Sequence, residues 1–258
     1  MSSIGVVLVA AGSGQRLRAD GPKALVEVAG RALVAHALGS LAAAGLPPAI
    51  VVHPPGRADA FAQAAHATPV GGWVPGGATR TASVRAGIAA LPEEVTTVAV
   101  HDAARPLMPP EVIRSAVEAV VHTDVHTEVD APATSATEPV VAAAPGLPVA
   151  DTLKRTDGRT IVATVDRRHL VGIQTPQVFS RVALDAALAT GDDATDELGL
   201  VERLLADGRL HGRVVVTPGS AWGRKVTYES DLAVVEALAA ASPPLAPVPD
   251  ETLAAGDA

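Results

Sequence analysis

The segment Ala10-Ala11-Gly12-Ser13-Gly14-Gln15-Arg16, followed by Pro22-Lys23, carries residue types suited to holding a phosphate chain. Small residues leaving a strand let backbone N–H groups approach phosphate oxygens closely, and Arg16 and Lys23 add cations. It lacks the Gly-Lys-Ser/Thr of a nucleoside-triphosphate P-loop. It also lacks the third small residue and prompt helix of a dinucleotide fold, because Asp20-Gly21-Pro22 interrupts any helix there. A long loop with both an arginine and a lysine suits a triphosphate better than a dinucleotide. The second candidate is His101-Asp102-Ala103-Ala104-Arg105-Pro106, at the end of an apolar run. Asp102 there is a candidate Mg²⁺ ligand, since magnesium takes one or two carboxylates together with phosphate oxygens and water. The competing roles for Asp102 are pairing with Arg105 and capping the helix that Pro109 opens.

Lysine use points the same way. Of 20 basic residues only Lys23, Lys154 and Lys225 are lysines, and arginine serves everywhere else. A lysine kept in such a chain can mark a place that needs a compact point charge, or can be residual composition.

The elements that position these residues follow from periodicity. Ile4–Ala11, Ala49–His53 and Thr97–Val100 are buried runs of strand length, and Val140–Ala144 and Arg213–Thr217 are strand-like. Helical patterns fall at Arg31–Ala44, Ala58–Ala65, Thr79–Leu91, Pro109–Val121, Arg181–Ala189, Asp196–Ala206 and Glu229–Ala240. This alternation predicts an α/β fold with a doubly wound, mostly parallel Rossmann-like sheet, ligands binding at the carboxyl ends of the strands. Both motifs fall there. Asp157-Gly158, between strand-like runs, predicts a β-hairpin over about 149–168 that departs from the βα rhythm and projects from the domain. Gln174-Thr175-Pro176-Gln177 reads as a restrained turn seating the next helix. Residues 1–240 are expected to form one domain, 122–138 a polar excursion and 241–258 a disordered tail.

Composition narrows the function class. A 48% hydrophobic, 19% charged chain of 258 residues buries a core, and its net charge of −8 argues against nucleic-acid or anionic-membrane binding. Without cysteine there is no disulfide, zinc–thiolate site or thiol nucleophile. No apolar run has membrane-spanning length, and the first residues lack a signal-peptide pattern, so a soluble cytoplasmic protein is expected.

Ala10-Ala11-Gly12-x-Gly14-x-Arg16 with Pro22-Lys23 resembles the signature loop of nucleotidyltransferases that join a nucleoside triphosphate to a phosphate. More narrowly, the chain resembles the 2-C-methyl-D-erythritol 4-phosphate cytidylyltransferases from residue 4 to about 238. The resemblance rests also on Gly76-Gly77-x-x-Arg80-x-x-Ser83-Val84, Val100–Pro106, Asp151-Thr152-Leu153-Lys154-Arg155 and Thr164-Val165-Asp166-Arg167. Gln174-Thr175-Pro176-Gln177-x-Phe179, Thr195-Asp196-Glu197 and Lys225-Val226-Thr227 complete it, and all three lysines fall inside these motifs.

The resemblance implies a nucleotide-diphospho-sugar transferase type of fold and transfer of a cytidylyl group from CTP to 2-C-methyl-D-erythritol 4-phosphate, with Mg²⁺ held by Asp102. It implies that Arg16 and Lys23 stabilise the transition state. Ala10, Ala11, Gly12, Gly14, Gly77, Arg80, Ser83 and Ala103 would bind the nucleotide. Thr152 and Arg155 on the hairpin, with Thr195 and Lys225, would grip the acceptor phosphate, Lys225 counting also as catalytic and the arm crossing to the other subunit of a homodimer. For Ser83 alone, a helix hydroxyl bonded to its own backbone is the simpler reading. Trp222 stands where many relatives place an acid three residues before the lysine, and Ala82 where others carry one before the serine. Ribitol 5-phosphate or another polyol phosphate is the alternative acceptor. Non-catalytic nucleotide binding is the reading from a different class.

Overall fold

The computed structural model describes residues 3–12, 14–17, 21–65, 68–121 and 138–241. In chain order the elements are β1 (Ile4–Val9), β2 (Glu27–Val28), β3 (Arg31–Ala32), α1 (Leu33–Ala43), β4 (Ile50–His53), α2 (Ala58–Ala65), β5 (Gly72–Pro75), α3 (Arg80–Ala89) and β6 (Thr97–Asp102). There follow α4 (Pro110–Val121), β7 (Val140–Pro148), β8 (Lys154–Asp157), β9 (Thr160–Thr164), β10 (Val171–Ile173), β11 (Gln177–Ser180), α5 (Arg181–Ala189), α6 (Leu198–Ala206), β12 (Arg213–Pro218) and α7 (Glu229–Ala240). The expectations for residues 122–137 and 242–258 concern residues outside those described.

The main sheet runs β10-β7-β11-β6-β1-β4-β5, with β12 beside β7. β1, β4, β5 and β6 are parallel to one another, and β12 is parallel to β7. The expected doubly wound arrangement is therefore present, but β10 and β11 enter antiparallel between and beside the parallel strands. These strands and β5 were not expected from periodicity. Gln174–Pro176 turns the chain from β10 into β11, so that a further strand, rather than a helix directly, follows it.

Alternation along the buried strands divides the core into two layers. Val6 and Leu8 pack with Leu38 of α1, Phe61 of α2 and Ile113 of α4. Val7 faces the other side, with Val84 and Ile88 of α3, Leu184 of α5 and Leu200 of α6. A third, smaller cluster joins Leu17, Val28, Leu33, Val226 and Val235. It matters for the site, because Leu17 follows Arg16 and Val226 follows Lys225. Fully burying such a side chain contributes about 1.5–3 kcal/mol, so this cluster anchors two cation-bearing segments together.

The hairpin β8–β9 pairs only with itself, and nearly all of its residues are exposed. Gly158 closes it with φ of 56°, the left-handed conformation that the Asp-Gly pair predicts. Among the described residues no helix is long and apolar enough to cross a membrane.

Candidate active site

A cavity of about 380 Å³ opens at the carboxyl ends of β1 and β6. Residues 9–12, 77–80 and 102–104 line it together with Lys23, Ala24, Ser83 and Lys225. Of the residues singled out in the sequence, Ala10, Ala11, Gly12, Lys23, Gly77, Arg80, Ser83, Asp102, Ala103 and Lys225 are therefore assembled at one place.

The two glycines of the first loop serve different ends. A side chain on Gly12 would meet nothing within 4 Å, so its bare backbone faces open space in the cavity. Gly14 has φ of 67°, and a Cβ there would lie 2.8 Å from the Lys23 Cβ. Gly14 thus lets the loop fold back tightly against Lys23. Gly14→Ala is expected to cost about 1–3 kcal/mol of stability from strain at positive φ and to lower turnover by displacing Lys23. Thermal unfolding combined with steady-state rates checks this, and unchanged values for both would show that the loop accommodates a side chain. Gly76 is equally constrained: a Cβ there would sit 2.5 Å from that of Ala11 and 2.9 Å from Ser83 Oγ.

Lys23 lies in a one-turn 3₁₀ helix, and its Nζ donates to the Val226 carbonyl at 2.7 Å. Burial pushes its pKa down, and nearby Lys225 adds to that shift. Arg16 does not line the cavity; its guanidinium carbon stands 5.9 Å from the centre of the Tyr228 ring, a cation–π contact. Ser83 Oγ donates to the Thr79 carbonyl at 3.0 Å and accepts from Gly77 N at 3.1 Å. Its hydroxyl does bond its own helix backbone, and in doing so shapes the Gly77 loop along the cavity.

Asp102 ends β6, and its residue is only 6% exposed. Lys225 Nζ donates to Oδ2 at 2.6 Å and Arg80 Nη2 to Oδ1 at 3.2 Å, so the carboxylate bonds these two rather than the Arg105 side chain or a helix end. Burial alone would push its carboxyl up, but Arg80 and Lys225 hold it well below the usual carboxylate range. Arg105 instead directs its guanidinium to the Gly223 and Ile173 carbonyls, at 2.7 and 3.2 Å. Gln174 grips the same turn from the other side, donating to Ser220 O at 2.7 Å and accepting from Ser220 N at 3.0 Å. Together they fix the turn that leads to Lys225. Behind Asp102, the Thr175 hydroxyl accepts from Asp102 N at 3.1 Å and pairs with His101 Nδ1 at 3.1 Å. Burial drives His101 down to about 4, so it is a neutral structural group.

Lys225, grouped by resemblance with the acceptor cluster, sits inside the cavity on Asp102. Thr152 and Arg155 on the arm, and Thr195 before α6, do not line the cavity, and both arm residues are exposed. Trp222, at the position of a frequent acid, lines a separate apolar groove with Met108 and Leu238. Glu197 had no assigned role, yet its carboxylate pairs with Arg80. It stands in the Thr195-Asp196-Glu197 motif, but no local pattern shows this pairing, because Arg80 and Glu197 lie 117 residues apart.

The family model for 2-C-methyl-D-erythritol 4-phosphate cytidylyltransferase (IspD) matches residues 4–240. The chain belongs to this family. A relative of that name from Saccharopolyspora erythraea is 41% identical over 247 residues, covering 92% of this chain and 100% of the relative. The bifunctional enzyme IspD/IspF of Clavibacter michiganensis subsp. michiganensis is 44% identical over 247 residues, and the match covers 92% of this chain and 54% of that enzyme. Among solved structures, the cytidylyltransferase from Thermus thermophilus superposes with a TM-score of 0.71 at 30% identity, covering 93% of this chain and 100% of that one. As an IspD family member, the chain has its nucleotidyltransferase fold with the cavity at the switch from β1 to β6.

Proposed function

We infer that the protein transfers the cytidylyl group of CTP to 2-C-methyl-D-erythritol 4-phosphate, giving 4-diphosphocytidyl-2-C-methyl-D-erythritol and pyrophosphate. The convergence of Lys23, Arg80 and Lys225 at the bare Gly12 backbone carries this reading, together with membership in the family. An acceptor phosphate oxygen attacks the α-phosphorus, and the bond to the pyrophosphate oxygen breaks. Both reactants are anions, so the protein's contribution is to hold them together and balance charge as it develops. A phosphate dianion is already a nucleophile near neutral pH, and no general base is needed. Lys23, joined by Arg16 drawn in from its contact with Tyr228, neutralises the α-phosphate and the leaving pyrophosphate, and Lys225 passes from Asp102 to a phosphate oxygen as the ligands enter.

Among the described residues no cluster of three metal-ligating side chains exists, and both Asp102 oxygens are already paired. A Mg²⁺ ion arriving with the triphosphate would be carried mainly by phosphate oxygens, and Asp102 would be the protein carboxylate to hold it. Bound there, it would neutralise triphosphate charge. A reaction that consumes CTP belongs in the cytoplasm, where CTP is supplied.

The arm supports a homodimer in which each hairpin serves its partner's site. Ile161 and Val162 on β9 are 63% and 53% exposed, and an apolar strand uncovered by its own chain suits burial against a second copy. Arg155→Ala is then expected to raise the KM for the acceptor phosphate about 10- to 100-fold, the loss of a charge-assisted phosphate bond, while sparing the KM for CTP. An unchanged acceptor KM would remove Arg155 from the site. Pyrophosphate release from CTP, measured with methylerythritol phosphate, ribitol 5-phosphate and other polyol phosphates, tests the function itself. Release with the first alone supports it, and release with none overturns it.

A further inference from the structure

Glu197 is fully buried at the start of α6, and its side chain makes no bond to the helix it precedes. Asp196 does that instead, its Oδ1 accepting from Gly199 N at 3.1 Å. The segment before α6 is also fastened without Glu197: Thr79 Oγ1 donates to Asp193 at 2.7 Å, and Ala194 N donates to Thr81 Oγ1 at 3.2 Å. Oε2 of Glu197 accepts a hydrogen bond from Arg80 Nη1, and Oε1 has no hydrogen-bond partner. A dry carboxylate is costly to keep charged unless a cation faces it. Arg80 is the one cation that pairs with Glu197 among the described residues, and it is also a cavity-lining residue.

We propose that Glu197 is a positioning residue for nucleotide binding, acting through Arg80. By occupying Nη1 it turns the guanidinium so that only Nη2 reaches Asp102, through a single 3.2 Å bond. Without that anchor the planar fork is free to close on Asp102 with two parallel bonds, the arrangement arginine and carboxylate favour. Arg80 would then be withdrawn from the nucleotide. The buried carboxylate keeps one face of Arg80 occupied from behind, and the cavity side stays available to the ligand. This role rests on the cytidylyl-transfer reading for its ligand.

The test compares the full-length protein with its Glu197→Gln, Arg80→Gln and double variants. Glutamine at this position has the same size and can still accept from Nη1, but it carries no charge. Glu197→Gln is expected to weaken CTP binding, measured by calorimetry without acceptor, and to lower kcat/KM for CTP about 10- to 100-fold, with the acceptor KM held within about threefold. In the Arg80→Gln background the same change should add nothing, because a residue acting through Arg80 has no route left. CTP affinity within about twofold of wild type in Glu197→Gln overturns the proposal, as does an undiminished loss in the Arg80→Gln background. If the single Glu197→Gln variant fails to fold, the double variant against Arg80→Gln carries the comparison: equal CTP binding supports the role and weaker binding refutes it. A wild-type protein that binds CTP but releases no pyrophosphate with any polyol phosphate would refute the proposed reaction alone. A wild type that binds no CTP refutes both.

Discussion

Lys23→Ala is expected to lower turnover about 10²–10³-fold, the usual cost of removing one donor to developing charge, with the upper end favoured for a full cation. Three observations converge on it. Lys23 lines the cavity, Gly14 has no side chain where it packs against Lys23, and the Val226 carbonyl holds its ammonium in place. Burial and Lys225 lower its pKa from the ordinary 10.5, so it loses its proton at a lower pH than a free lysine. The kcat/KM for CTP reports the free enzyme, and it should fall on the alkaline side as Lys23 deprotonates. That limb should be missing from the residual activity of Lys23→Ala. Steady-state pyrophosphate release across pH, with circular dichroism as a control for folding, decides the matter. Activity within a few-fold of wild type would remove Lys23 from the transition state.

Asp102→Asn should reduce activity about 10²-fold or more, and it should also change stability. Asparagine keeps the shape but cannot balance both Arg80 and Lys225. Lys225 is partly exposed and finds water, whereas Arg80 keeps Glu197. The stability loss should therefore be about 1.5–3 kcal/mol, that of a hydrogen bond to a charged group. The sign with pH follows from the depressed carboxyl. A group whose folded pKa lies below its unfolded value of 3.8 stabilises the protein above that value. Acidifying from above pH 3.8 should therefore remove this part of wild-type stability progressively, while the asparagine variant lacks the dependence. Chemical denaturation at several pH values measures it. Magnesium dependence of the rate should weaken as well. Unchanged activity and unchanged response to magnesium would leave Asp102 as an anchor for Arg80 and Lys225 only.

The local parts of this molecule were legible in its sequence. The apolar run of β1, the glycine loop after it and Asp102 closing β6 are each written within a few consecutive residues. Among the described residues, all seven α-helices lie where apolar periodicity and the flanking Pro and Gly residues put them, within about two residues at each end. Asp157-Gly158 announces the hairpin because a type of turn demands those residues. By contrast, periodicity reports that a face is buried and says nothing of which element covers it. The insertion of β11 between β6 and β7 is therefore unreadable locally, for it depends on pairing energies across the sheet. The ionic arrangement is of the same kind: Lys225 meets Asp102 across 123 positions, and Glu197 reaches Arg80 across 117. Lysine scarcity marked Lys225 as noteworthy, but only the chain's path past Arg105 and Gln174 brings it onto Asp102 rather than onto the arm. Glu197 stood in the Thr195-Asp196-Glu197 motif, but nothing there pointed to Arg80. A buried ion pair is a property of two distant positions brought into one dry place, and the cost of leaving either charge alone there is set by the tertiary structure.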